Sequence, residues 1–156
     1  MPKFVDFGKE WGISMNDTVK LLKECDAGSK MAVTSIDEVL EKVNNSTMKQ
    51  LLQESKEHHE KLGNEIHELL NEHGAAEKDP NPIAKGMSWM KTTMKMNMDN
   101  SDATVADLIT DGCNMGIKSL HKYLNQYQTA DNKSKHMCNQ LVDIEEQLSR
   151  ELRKYL

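Results

Sequence analysis

The strongest constraint on this chain is the stretch 48–73, MKQLLQESKEHHEKLGNEIHELLNEH, where Met48, Leu52, Ser55, His59, Leu62, Ile66, Leu69 and His73 recur at steps of three and four residues. That period is helical, and it places these side chains on one stripe. The same stretch holds four of the six histidines and six glutamates. It reads as a single helix about 39 Å long at 1.5 Å per residue, with an inward stripe and a charged back, in a bundle of similar helices. His58, His67 and Glu54, Glu57, Glu60, Glu65 and Glu68 fall on the solvated face, with Lys56 and Lys61 supplying helix-spaced ion pairs. Only His59 and His73 fall on the inward line.

The remaining segments follow the same logic. Over 18–43, Leu22, Cys25, Val33, Ile36, Leu40 and Val43 keep the helical step. The stripe continues through Ser29 and Ala32, small enough to let a neighbouring helix come close. Asn16-Asp17-Thr18 offers N-cap chemistry for this helix. The polar turn 44–47 makes the helix over 47–73 run antiparallel to it, with Ser46 or Thr47 as its cap, and Gly74 stands where a C-terminal glycine ends a helix. A third helix, over 103–128, is capped by Ser101-Asp102 and points Val105, Ile109, Gly112, Gly116, Leu120, Tyr123 and Tyr127 inward. Two interior glycines each cost about 1 kcal/mol relative to alanine, which close packing against a neighbour offsets. After the turn 129–132, a fourth helix over 133–156 points Met137, Leu141, Ile144, Leu148 and Leu152 inward. Residues 1–17, with Phe4, Phe7 and Trp11, form an arm that packs on the body or on a second subunit. Residues 74–102 are a long connection. Within it Met87, Met90, Met94 and Met98 recur at helical spacing; thioethers can hold copper, but the spacing fits an amphipathic helix laid on the bundle better.

These assignments make the chain all-α: two antiparallel hairpins joined by a partly helical crossover, so that the second and third helices run parallel. Composition agrees, with 29% charged residues, 37% apolar residues and three prolines in 156. A net charge of −5 argues against general nucleic-acid binding. No apolar run approaches the roughly 20 residues of a membrane span, the N-terminus shows no signal-peptide pattern, and Cys25, Cys113 and Cys138 form no CxxC pair. A cytoplasmic protein with reduced thiols is expected.

This two-hairpin layout, with LLKECDAGSKMAVTSIDEVLE in the first helix, GMSWMK in the crossover and DLITDGCNMGIKSLHKYL in the third helix, resembles the small bacterial ferritin-like four-helix-bundle domains of unknown function over residues 19–156. The resemblance implies a di-metal carboxylate centre wherever such a bundle is active: one Glu from each of two helices and a Glu-x-x-His pair from each of the others. That pattern fails here. Glu54 is four residues before His58, Glu65 two before His67, and Glu145 and Glu146 have no histidine three residues on. Asp111, Cys113 and Asn114 stand where the third helix would carry its Glu.

A partial site survives. Register through the short turns brings His59, Asp111 and Glu145 to one level, where one imidazole and two carboxylates could hold iron, manganese or zinc with water completing the shell. The competing account makes His59 a buried histidine bonded to Glu145 and Asp111 part of a local polar network. A catalytic role for Cys113 lacks a basic partner within a helical turn. The leading expectation is a non-enzymatic bundle that acts through association, as a homodimer. Its rivals are a divalent-metal-binding bundle with an incomplete site, and a small-ligand pocket opened by Gly112 and Gly116.

Overall fold

The computed structural model describes residues 15–75 and 101–156, and among them the secondary structure is helical throughout. Helix α1 spans Met15–Leu40, α2 Ser46–Glu72, α3 Asp102–Gln126 and α4 Asn132–Leu152, followed by a short 3-10 turn, Arg153–Tyr155. The N-terminal arm up to residue 14 and the Met-rich segment 83–98 lie outside the described residues. No helix among the described residues is long and apolar enough to cross a membrane.

The helix ends show how caps fix the layout. Asn45, rather than Ser46 or Thr47, caps α2 by accepting from the Met48 amide at 2.9 Å. Ser101 caps α3 through the Thr104 amide, and Asp131 caps α4 through the Ser134 amide. Gly74 follows the end of α2 with φ +67°, a conformation that glycine adopts without strain. Asp17 and Thr18 do not cap α1, which begins earlier. They reach instead to the α3–α4 turn: the Asp17 carboxylate accepts from the Thr129 amide and hydroxyl, and the Thr18 hydroxyl from the Asp131 amide at 2.9 Å. At the other end of the bundle, the Asp102 carboxylate accepts from the Asn44 and Asn45 amides at 2.8 and 2.9 Å. Each staple joins a hairpin turn to the start of a helix in the other hairpin. Together they set α2 and α3 parallel, and α1 and α3 antiparallel.

α1 packs most extensively on α2, and α3 on α4; the hairpins then meet through α2 and α4 and, to a lesser and equal extent, through α1 and α3 and through α1 and α4. Small residues govern the closest approaches. A Cβ at Gly63 of α2 would stand 2.8 Å from the Ser29 hydroxyl and 3.2 Å from its Cβ, so the α1–α2 seam closes at the small position in the α1 stripe. The buried apolar side chains fall into two clusters. One, around Ile36, Val39, Met48, Leu52, Val105 and Leu152, fills the end with the α1–α2 turn; the other, around Leu21, Leu22, Ile66, Leu70, Leu120 and Leu141, fills the opposite end. Between them lie Ser55, His59 and Glu145, all buried.

The Gly63–Ser29 approach yields a direct expectation. Gly63→Ala, which on an open helix face would stabilise, destabilises this bundle by about 1–3 kcal/mol through overpacking. Adding Ser29→Ala recovers part of the loss by removing the hydroxyl. Urea unfolding of the single and double variants reads both effects.

Candidate functional site

The polar layer between the clusters is built from residues on the inward stripes of α2 and α4. His59 is fully buried, because four-residue steps from Met48, Leu52 and Ser55 carry the α2 stripe directly into the bundle centre. Its Nδ1 lies 2.8 Å from the carbonyl oxygen of Ser55, one turn back. A carbonyl can only accept, so Nδ1 carries the proton and the other ring nitrogen, Nε2, keeps its lone pair in the neutral imidazole. Nε2 is buried, has no hydrogen-bond partner, and stands 3.6 Å from a Glu145 carboxylate oxygen.

Glu145, from the middle of α4, is 7% exposed. Its carboxylate is held from the other side by α3. The Cys113 thiol hydrogen-bonds to it, and a Cβ at Gly116 would meet its nearer oxygen at 3.2 Å, so the glycine is what makes room for the acid. Burial first, and then the neighbouring Glu145 charge and hydrogen bond, push the Cys113 thiol well above its ordinary range. Cys113 is therefore a neutral donor to the carboxylate. All three cysteines are buried free thiols.

At the level of this pair, α1 and α3 flank a groove of about 500 Å³. Its α1 wall carries Ala27, Gly28, Ala32 and Ser35, its α3 wall Gly112, Gly116 and Ser119, and its floor His59, Leu141, Glu145 and Leu148. A Cβ at Gly112 would meet nothing within 4 Å, so this glycine packs against no neighbour; the expected helix contact is made only at Gly116. At one end Glu24 accepts a hydrogen bond from Tyr123, and that bond, with partial burial and the acid's charge, pushes the phenol up to about 12. Among the described residues no lysine or arginine lines the groove.

Of the three residues expected as ligands, His59 and Glu145 come together and Asp111 does not. Asp111 is exposed on α3. It immediately precedes Gly112, and one residue along a helix is a rotation of about 100°, enough to carry it off the face that the two glycines turn inward. The side chain that α3 brings to Glu145 is Cys113. Among the described residues no group of three His, Cys, Asp or Glu side chains is arranged to hold a metal ion.

Of the other α2 histidines, His58 is exposed as expected and His73 is half-buried at the helix C-cap, while His67, expected on the solvated face, is not fully exposed. His67 is partly covered, with Nδ1 3.5 Å from the buried Asp26 carboxylate, which also pairs with Lys30 at 2.8 Å. Lys56 pairs with Asp37 of α1 at 2.8 Å rather than with a glutamate of its own helix. Comparison with family models, with curated proteins and with solved structures finds no match to this chain.

The Cys113–Glu145 contact can be read chemically. Glu145→Gln removes the negative charge beside the thiol and lowers its pKa, so iodoacetamide alkylation of Cys113 at pH 9 quickens several-fold, one pKa unit being tenfold in thiolate. Peptide mapping by mass spectrometry follows Cys113, with the buried Cys25 and Cys138 as internal controls that stay unreactive.

Proposed function

We propose that this four-helix bundle is a binding protein for a small, largely apolar molecule, taken up in the groove between α1 and α3 over the His59–Glu145 floor. The carrying observation is the buried Nε2 of His59, which has no hydrogen-bond partner; His59 lines a groove of about 500 Å³ whose walls are mainly small and apolar side chains, with Glu145, Glu24 and Tyr123 also lining it. Binding sites are concave, mainly apolar and furnished with a few convergent polar atoms, and this groove has that make-up. A polar atom left buried without a partner costs about 1–3 kcal/mol, and a ligand that supplies the partner recovers it. The expectation of action through association rests on the broken ligand pattern, the N-terminal arm and the Met-rich crossover, and the arm up to residue 14 and the Met-rich segment 83–98 lie outside the described residues.

Gly112 supplies the test, because its missing side chain opens the groove without touching a neighbour. Nile red, a neutral apolar dye, binds saturably to the unaltered chain with a rise in fluorescence. Gly112→Leu fills the groove and abolishes that binding while the protein stays folded. Gly112→Ala stabilises the bundle by about 1 kcal/mol through helix propensity alone. Absence of saturable binding, or equal binding to Gly112→Leu, sinks the reading.

A second reading is favoured by one specific feature. An imidazole whose Nδ1–H is held by a carbonyl presents Nε2 in the way a metal ligand is presented, and two donors bound about 2.1 Å from a tetrahedral ion stand about 3.4 Å apart, close to the 3.6 Å seen here. His59 and Glu145 would then hold a single iron, manganese or zinc ion with water filling the other positions. The parallel run of α2 and α3 supports the likeness to ferritin-like bundles from which this idea comes. Elemental analysis of protein made without a histidine tag decides it: stoichiometric metal, lost in His59→Ala, establishes the site, and metal-free protein rejects it.

A further inference from the structure

From the charges that line the groove we infer that its ligand carries a cationic head, a primary amine or a similar nitrogen donor, seated between Glu145 and His59 with its apolar body along the groove. The inference rests on the binding role proposed above and adds the ligand's chemistry. The floor offers a carboxylate and, 3.6 Å from it, Nε2 of a fully buried imidazole whose other nitrogen lies against the Ser55 carbonyl. In the neutral imidazole Nε2 is an acceptor, as the carboxylate is. A second carboxylate, Glu24, lines the groove. Among the described residues no lysine or arginine lines it, so an acidic head group would bring a negative charge against Glu145 with no cation among them to balance it. An ammonium group has three donors and no acceptor, and at the 2.7–2.9 Å of charge-assisted bonds one nitrogen reaches two acceptors that stand 3.6 Å apart.

Other features of the floor are consistent with a cation arriving there. The Cys113 thiol donates to Glu145 without neutralising it, since a thiol whose own pKa is raised keeps its proton. With no side chain at Gly116 the carboxylate lies against α3, its two oxygens 3.2 and 3.6 Å from where a Cβ would stand. Apart from Glu24 and Tyr123 at one end, the walls add the hydroxyls of Ser35 and Ser119, which hydrogen-bond without selecting a charge.

The test compares three probes of equal chain length, n-octylamine, n-octanol and octanoate, as competitors for Nile red on the full chain, with EDTA present so that metal plays no part. The amine is expected to displace the dye at a concentration at least tenfold below the alcohol and the acid. Glu145→Gln should erase the advantage of the amine over the alcohol and leave the alcohol unchanged. Octanoate displacing as well as the amine overturns the inference, as does an amine advantage that persists in Glu145→Gln. Displacement by none of the three also overturns it, while saturable Nile red binding lost in Gly112→Leu leaves the groove reading standing. The head-group comparison on the unaltered chain stands without the variant.

Discussion

The contact on which this bundle turns is the approach of the His59 imidazole to the Glu145 carboxylate in the middle of the molecule. Burying either group costs several kcal/mol unless its polar atoms are matched, and the surroundings match them only in part. Nδ1 has the Ser55 carbonyl, the carboxylate has the Cys113 thiol, and Nε2 has nothing. The apolar core consequently does not run through the bundle. It divides into a cluster at each end, and the two are separated at the level of this pair.

The groove follows from the same arrangement. At a level where α2 and α4 present an imidazole and an acid, α1 and α3 present Gly28, Ala32, Gly112 and Gly116. Small residues usually let helices close on one another, and Gly63 does so against Ser29, as Gly28 does against Leu141 with a Cβ-to-Cδ2 approach of 3.9 Å. Between α1 and α3 the small residues face each other across open space. The hairpin staples contribute, because Asp17 and Thr18 hold one end of α1 to the α3–α4 turn and Asp102 holds the start of α3 to the α1–α2 turn. With both ends fixed, the seam between them remains open at its centre.

Much of this was legible in the sequence where the signal is local. The stripe through Met48, Leu52, Ser55 and His59 marked His59 as inward, and counting register through two short turns placed Glu145 at its level. Gly74 and Ser101 act as their positions suggest. One failure is local, the α2 cap being Asn45 rather than Ser46 or Thr47; the others are long-range. Asp17 and Thr18 look like a helix cap, yet their partners lie more than a hundred residues away in sequence. Asp111 shares a level with His59 but not a face, and a one-residue offset in α3 decides between it and Cys113. Gly112 and Gly116 carry the same spacing signal and behave differently, since only Gly116 has a side chain opposite it. Sequence spacing states which residues share a face; it does not state how far away the next helix stands.

That distance also separates a structural reading of the pair from a functional one. If His59 and Glu145 served stability alone, an apolar pair of similar volume would serve as well, because replacing a buried polar pair by packed hydrophobes is often neutral or stabilising. It would also join the two apolar clusters into one. A purely structural imidazole–carboxylate pair would be expected to close to hydrogen-bonding distance, 2.7–3.2 Å, whereas this one is held at 3.6 Å. Its nitrogen is buried and unpartnered, and the groove lies directly above it. Among the described residues this pair interrupts the core beside a groove, and a group entering from the groove side, as proposed above, would complete the interaction that the packing of the helices leaves open.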